Sequence, residues 1–468
     1  MIRFVYSTTT KKITSTVCKI NKIVDVFTDI LEKSILDFTE NLEKGNFLEF
    51  EERLGILFRE VQVVAIQEIM GSVLQKNSFR ETLKKEGKEL GQHRLKQRPL
   101  QVQISTGDWI TVQSWYAEKV KKGGSQKNRH VALELWGFTE KGSPLYTSIC
   151  GMVSVLCPSF DVGKQLLNAL NISGTYHRIR HLSIELGKKG IERGSQVVLK
   201  EDESVAGKRI VVQYDAGRSR LRTYKKERTK KGRQKFETPW RAPDLVVILV
   251  IDEKGEIERK DELPFYDVTV DTIHKTMAKL TETLILLEAE KAKEIQFLGD
   301  GIQFLWDNIE QTFANARIDP KKITYTLDYY HAAQHLSDLI KILPQKEGKQ
   351  QQQWWQKLKN HLWKGNISTM INTIKRFCKA QRVKMVKEIK NQLAYFERHI
   401  NHMQYKTFKK QNLLCGSGAV ESAIRRIINL RFKNVSSFWL EEHLEPLCFL
   451  RATFLSGRWA IFLHNLNN

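Results

Sequence analysis

A chain of 468 residues exceeds what one hydrophobic core usually serves, and 41% apolar residues suffice for two or three globular domains. Its 76 Lys and Arg against 53 Asp and Glu leave a formal charge of +23, which favours a polyanionic partner over a neutral metabolite, nucleic acid ahead of an anionic membrane surface. No apolar run approaches the roughly 18 to 20 residues of a spanning helix, and the six cysteines form no C-x-x-C pair, which excludes a zinc ribbon and a disulfide scaffold.

The start, "MIRFVYSTTTKKITSTVCKINKIVDVF", lacks the continuous apolar core of a secretory signal, so a cytoplasmic protein is expected. Residues 1–97 read as a helical region, with apolar positions three and four apart in "VDVFTDILEKSILDFTENLEK" and "FLEFEERLGILFREVQVVAIQEIMGSVLQ". The basic tract "KKEGKELGQHRLKQRP" closes it. Residues 98–157 read as a small β element: "LQVQISTGDWITVQSWYAEKV" and "RHVALELWGF" alternate around the basic tract "KKGGSQKNR", which predicts a strand pair with a basic loop.

From residue 158 to 207 the period returns to helical. "FDVGKQLLNAL" and "TYHRIRHLSIELGKK", joined by "NISG", fit a helix-turn-helix whose second helix opens with His177, Arg178, Arg180 and His181. Arg178 and Arg180 are then candidate DNA contacts; an ordinary helical hairpin with a solvated basic face is the equal alternative.

Residues 208–345 carry the densest strand signals. "KRIVVQYDAGRSR" predicts an apolar strand ending at Asp215, "DLVVILVIDEKGEIERKDELPFYDVTV" two more joined at "DEKGE", and "EIQFLGD" and "KITYTLD" a fourth and fifth. "VDTIHKTMAKLTETLILLEAEKA", "GIQFLWDNIEQTF" and "YYHAAQHLSDLIKIL" predict the intervening and following helices. The order β-β-β-α-β-α-β-α suits an α/β fold with a mixed five-stranded sheet, antiparallel first and then parallel through helical crossovers. Residues 346–412 are helical throughout, and residues 413–468 begin with a Gly-Ser-Gly turn that opens a helix bearing Glu421.

Functional side chains collect where strands end, and Asp215 and Asp300 both stand there. Each is also a plausible turn or cap residue, and Glu421 a helix-start carboxylate favoured by the dipole. Two acids ending strands of one sheet in a basic protein need a cation between them, and Mg²⁺ held by a few carboxylates and substrate phosphate oxygens is the usual arrangement. Beyond Asp215 runs "RSRLRTYKKERTKKGRQK", whose Arg218, Arg220, Arg222, Lys225, Lys226, Arg228, Lys230, Lys231, Arg233 and Lys235 read as a loop that neutralises DNA phosphates or as a merely solvated charge run.

The stretches "YDAGRSRLR", "FLGDGIQFLW", "TLDYYHAAQHL", "GSGAVESAIRRIINLRFK" and "FWLEEHLEPLCFLRATFLSGRW" together resemble the DDE transposases of bacterial insertion sequences, the Mutator-like and ISKra-type group. The resemblance covers about Lys208 to Trp459. It implies an RNase H-like core interrupted by an all-helical insertion and preceded by helical and small β DNA-binding regions. It assigns Asp215, Asp300 and Glu421 as catalytic and metal ligands for two Mg²⁺ ions, with Mn²⁺ as a substitute. It makes Asp328, His331, Trp306 and Arg425 supporting or DNA-contact candidates, and Asp328 also a rival for Asp300 or Glu421 as a ligand. Trp306, Trp354, Trp355, Trp363 and Trp439 are either base-stacking platforms or core. The implied reaction is cleavage at transposon-end duplex DNA and transfer to target DNA by a nucleoid-associated homodimer or higher oligomer. A transposase-derived DNA-binding protein that no longer cuts and an RNase H-like nuclease are the alternatives. The cysteine-rich ribbon that relatives often carry ahead of the core is missing here, so DNA-end recognition would use other residues.

Overall fold

The computed structural model describes residues 14–89, 94–118, 130–258, 264–344, 348–434 and 437–467. The chain divides into two compact units, residues 1–186 with Asn467, and residues 187–466 with Asn468. No helix among the described residues is long and apolar enough to cross a membrane.

In the first unit, the expected helical region consists of α1 (Thr14–Glu43), α2 (Phe47–Leu74) and α3 (Asn77–Glu89). The β element differs from the sequence reading. Its antiparallel partners are β1 (Arg94–Gln103) and β2 (Trp109–Glu118), so the long alternating stretch folds back on itself around Gly107, whose φ of +81° suits glycine. The expected second strand, "RHVALELWGF", instead holds the short helix α4 (Val131–Leu135), with Val131, Ala132 and Leu133 buried in the cluster that contains Leu100, Val102, Ile110 and Val112. Burial requires only that the apolar residues face inward, and one helical turn satisfies this as well as a strand. The basic tract 121–129 lies outside the described residues. Helix α5 (Pro144–Leu156), capped by Ser143, is a second departure: its buried Tyr146, Cys150 and Val153 recur at the four- and three-residue spacing of a helix, within the stretch expected to be β. The helix pair follows as expected, α6 (Phe160–Ala169) capped by Ser159 and α7 (Tyr176–Glu192). The division at residue 186 falls inside α7, not at the expected 207–208 boundary.

The second unit is a mixed sheet covered by helices. Its strands and helices run β3 (Arg209–Ala216), β4 (Ser219–Arg220), β5 (Thr223–Arg228), β6 (Gln234–Glu237), β7 (Trp240–Arg241), β8 (Asp244–Ile251), β9 (Phe265–Thr269), α8 (Ile273–Leu286), β10 (Glu294–Gly299), α9 (Gln303–Asn315), β11 (Ile323–Leu327) and α10 (Tyr329–Ile342). The five-stranded sheet has the order β11-β10-β3-β8-β9. β8 is antiparallel to β3 and β9, while β10 is parallel to β3 and β11. All eight residues of β8 are buried, as a strand covered on both faces requires, and this is why "DLVVILVI" reads as a continuous apolar run.

The two faces are told apart by adjacent residues of β3. The Tyr214 hydroxyl donates to Asp244 Oδ1 at 2.8 Å, and Thr276 Oγ1 of α8 donates to Asp244 Oδ2 at 2.8 Å, so Tyr214 faces α8. Gln213 points the other way. The charge run after Asp215 is not a loop. β5 pairs with β6 as an exposed antiparallel ribbon, and β4 pairs with β7 at its root. Seven cations within the eleven residues from Lys225 to Lys235 hide the strand period that Tyr224 and Phe236 carry, since those two are cross-strand partners.

The insertion consists of α11 (Gly348–Trp363), α12 (Ile367–Ala380), α13 (Lys387–Arg398) and α14 (Tyr405–Lys410), helical as expected. The chain returns through α15 (Gly418–Ala423), a π-helical turn at Ile424–Asn429 and α16 (Leu430–Phe432), and closes with α17 (Glu441–Leu455) and α18 (Trp459–Asn467).

Candidate active site

The register of the sheet aligns three acids. β10 pairs with β3 from Glu294 opposite Arg209 to Leu298 opposite Gln213, a constant offset of 294 − 209 = 85, so the same register sets Asp300 opposite Asp215. β11 pairs with β10 up to Leu327 opposite Gly299, which sets Asp328 opposite Asp300, and the Asp328 amide donates to Gly299 O at 2.9 Å to extend the ladder. Three neighbouring parallel strands therefore end in aspartate on one rung, about 4.8 Å apart from strand to strand. Residues two apart share a face, so Asp215, Asp300 and Asp328 lie on the face of Gln213, away from α8.

Two buried glutamines on that face bring the fourth acid. Gln213 Oε1 accepts the Val420 amide at 3.0 Å. Gln296 accepts the Leu414 amide at 3.0 Å and donates to Leu414 O at 2.6 Å and to Thr326 Oγ1 at 2.8 Å. Both side chains are fully buried, and they stitch the returning segment onto the sheet so that Glu421 opens α15 over the rung. Sequence reasoning missed them, although a lone glutamine inside an apolar strand, in "RIVVQYD" and "EIQFLGD", is the signal that would have found them. Gly217 belongs to the same fit, since a Cβ there would stand 2.7 Å from Ile428 in the π-helical turn.

The acids differ in their surroundings. Asp328 is fully buried and committed: Oδ1 accepts the His331 amide at 2.7 Å, Oδ2 accepts the Ser417 amide at 2.5 Å, and His331 Nδ1 stands 3.2 Å from Oδ1. Burial pushes its carboxyl up, but the bonds from His331 and Ser417 outweigh that and hold it below the usual carboxylate range. Asp328 thus caps α10 and ties the start of the Glu421 segment to β11. The Asp328 carboxylate in turn pushes the His331 imidazole up to about 9 against burial, with Asp300 and Asp215 adding to the effect.

Asp215 and Asp300 are half-buried and uncommitted. Among the described residues, each carboxylate accepts one hydrogen bond, from the Ala216 amide at 2.7 Å and the Ile302 amide at 3.2 Å respectively. Burial pushes Asp215 up to about 6, opposed by the Ala216 amide and reinforced by the negative charges of Asp300 and Glu421. Burial raises Asp300 as well, against the Ile302 amide and His331 and with a contribution from Asp328. Glu421 is exposed and receives a hydrogen bond from Ser417 Oγ at 3.1 Å.

Asp328, His331 and Glu421 offer ligand atoms within 4.8 Å of one another. The first two are less available to a cation as they stand, because each Asp328 oxygen already accepts an amide and His331 Nδ1 stands against Oδ1, and a protonated imidazole has no lone pair to give. Asp215, Asp300 and Glu421 retain free oxygen lone pairs, a hard donor set of the kind Mg²⁺ takes.

Trp306 belongs to the scaffold of this site. Its indole Nε1 donates to Asp300 O at 2.6 Å, and its ring stacks on His402 with centroids 4.4 Å apart. Trp439 is buried against Phe432 and takes the core alternative, while Trp354, packed on Phe377, Trp363, packed on Tyr329, and Trp355 are half-buried. Arg425 is exposed one turn beyond Glu421, whereas its neighbour Arg426 donates to the Tyr266 hydroxyl at 2.7 Å.

The expected DNA contacts divide. Arg178 is spent inside the first unit, donating to Gln103 Oε1 at 3.0 Å and Glu140 O at 2.6 Å, and Arg180 lies over the Tyr176 ring. The second-unit cations lie on the ribbon or at its root, where Lys225 and Lys235 pair with Glu237 and Glu227. Arg218, Lys226, Lys230, Lys231 and Arg233 are exposed and form no ion pair among the described residues, and Arg228 reaches only the Gly232 carbonyl, at 3.3 Å.

Comparison with protein-family models, with curated proteins and with solved structures finds no match for this chain.

Proposed function

We propose that the protein is a metal-dependent DNA strand transferase, a DDE transposase with an RNase H-like core, as the resemblance of its motifs implies. One observation carries this reading: two uncommitted aspartates on one rung of a parallel strand pair, with a glutamate brought over them by a separate helix. Such a set has a use in phosphoryl transfer and little value as structure, since the aspartates repel each other and resist ionisation.

Asp215, Asp300 and Glu421 would hold the Mg²⁺ ions. When bound, these supply Lewis-acid stabilisation of the scissile phosphate and a deprotonated oxygen nucleophile, first water and then the freed DNA end. The chain's own work is positioning. Asp328 ties the Glu421 segment to the sheet, Trp306 holds the Asp300 backbone, and His331 offers a positive charge beside the aspartates. The ribbon cations suit the phosphates of transposon-end and target duplexes, and handling two ends at once calls for at least a dimer.

The test is incubation with Mg²⁺, the element's terminal DNA and a supercoiled target, with Asp300→Asn as control. Joined products that Asp300→Asn abolishes are expected. Cleavage without joining points to a nuclease, and retention on a gel with neither points to a DNA-binding protein that no longer cuts.

A further inference from the structure

The ribbon of β5 and β6 has two chemically different faces. The register shifts between Tyr224 and Arg228, but Lys225 pairs with Glu237 at 3.1 Å and Lys235 with Glu227 at 2.9 Å, which puts these four side chains on one face. That face is electrically balanced. The other carries Tyr224 and Phe236, cross-strand partners with ring centroids 6.3 Å apart.

About half of each of these residues stands in water, Tyr224 48% and Phe236 41% exposed, and so does Trp240 at the root, 53% exposed, while Phe236 also meets Phe438 with ring centroids 5.8 Å apart. Two of the three have a guanidinium against them: Arg222 lies 4.6 Å over Phe236 and Arg220 lies 4.8 Å over Trp240. Such exposure leaves room for a second partner on each ring. An apolar occupant would match the rings and strand the cations, and a duplex backbone would match the cations and leave the rings wet. An unpaired nucleic-acid strand brings a charge with every phosphate and a π-face with every base, and so matches both.

The root is fixed beside the candidate active site. Ser219 Oγ donates to Phe432 O at 2.8 Å, the Arg222 amide to Trp439 O at 2.8 Å and the Trp439 amide to Arg220 O at 2.9 Å. Ser219 stands four residues beyond Asp215 and Trp439 follows the Glu421 helix, so the same two chain segments carry the acids and the root of the ribbon.

We propose that the aromatic face of this ribbon binds an unpaired stretch of nucleic-acid strand, with bases stacked on Tyr224, Phe236 and Trp240 and phosphates met by Arg220 and Arg222. The inference deepens the strand-transfer reading and rests on it for its purpose: it names the state of the substrate, opened rather than paired, that lies next to the carboxylates.

The test uses the full chain carrying Asp300→Asn, in chelator, with a single-stranded oligonucleotide containing a fluorescent adenine analogue whose emission falls on stacking, and the same sequence as a duplex. Binding with quenching is expected for the single strand. Tyr224→Ala, Phe236→Ala and Trp240→Ala each weaken it about tenfold and remove quenching, duplex affinity changes by less than about threefold, and Phe236→Trp keeps both properties. The proposal is overturned if the alanine variants bind the single strand as tightly as their parent, if single strand and duplex weaken equally, or if Phe236→Trp loses quenching while its melting temperature is unchanged. Chelator and Asp300→Asn separate the two readings. Stacking without any Mg²⁺-dependent cleavage by the parent protein counts against strand transfer alone, and cleavage without stacking counts against this inference alone.

Discussion

Asp328 Oδ2 accepts the Ser417 amide at 2.5 Å, a bond between residues 89 apart in sequence that joins the end of β11 to the segment opening the Glu421 helix. Its neighbours on the rung make no comparable bond, and the three aspartates should therefore respond to substitution in opposite directions.

Asp328→Asn should destabilise the protein by roughly 2–3 kcal/mol in urea unfolding at neutral pH, because an NH2 donor replaces one of the two accepting oxygens against a buried amide and the negative charge facing the imidazole is removed. The loss should depend on pH. His331 is pushed up to about 9 by Asp328, so this contribution is fully present below about pH 6.5, the unfolded value, and fades as pH rises through 9. A gap between parent and variant that is equally wide at acid and alkaline pH would show that the imidazolium contributes nothing.

Asp215→Asn should do the reverse in chelator. Its folded value of about 6 lies above the unfolded value near 3.9, so the folded state binds more protons between those limits and stability falls as pH rises across them. Removing that penalty should gain on the order of 1–2 kcal/mol at pH 7, after allowance for partial exposure, or a few degrees in melting temperature. The same variant should lose the stabilisation that Mg²⁺ gives the parent. A lower melting temperature, or an unchanged response to Mg²⁺, would contradict the assignment.

Gly301→Ala should disturb the Asp300 loop, since the added Cβ would stand 2.0 Å from Cε2 of Tyr395 in the helical insertion. Overpacking of this kind costs about 1–3 kcal/mol. Tyr395→Ala in the same chain should recover part of that loss, a coupling readable in a double-mutant cycle of unfolding free energies; simple additivity would mean the two residues do not meet.

Ribbon cations should differ in their salt dependence of DNA binding. Lys230→Ala or Lys231→Ala should each lower the slope of log K against log salt by about 0.9, whereas Lys235→Ala, which removes a charge already paired with Glu227, should lower it less. Titrations at several salt concentrations give the slopes directly.

Much of the second unit was legible in the sequence because its strands are apolar runs closed by an acid or glycine, and a strand buried on both faces has to be written that way. Period and composition were thus enough for the five strands, the crossover helices and three of the four clustered acids as strand ends. They failed where the pattern serves two structures equally. "RHVALELW" could bury its apolar residues as strand or helix, and the ribbon's cations conceal the one aromatic pair that shows its period.

Register is the part no local pattern carries. That Asp215, Asp300 and Asp328 share a rung follows from pairings between segments 85 and 28 residues apart, since 300 − 215 = 85 and 328 − 300 = 28. Which of them remains available to a cation depends on Ser417 and His331 having reached Asp328 first. Sequence alone determined which residues can ionise and which must be buried, because those are properties of single side chains. Tertiary structure decided which carboxylates are spent and which are free, because hydrogen-bond commitment is a property of neighbours brought together only by the closed sheet.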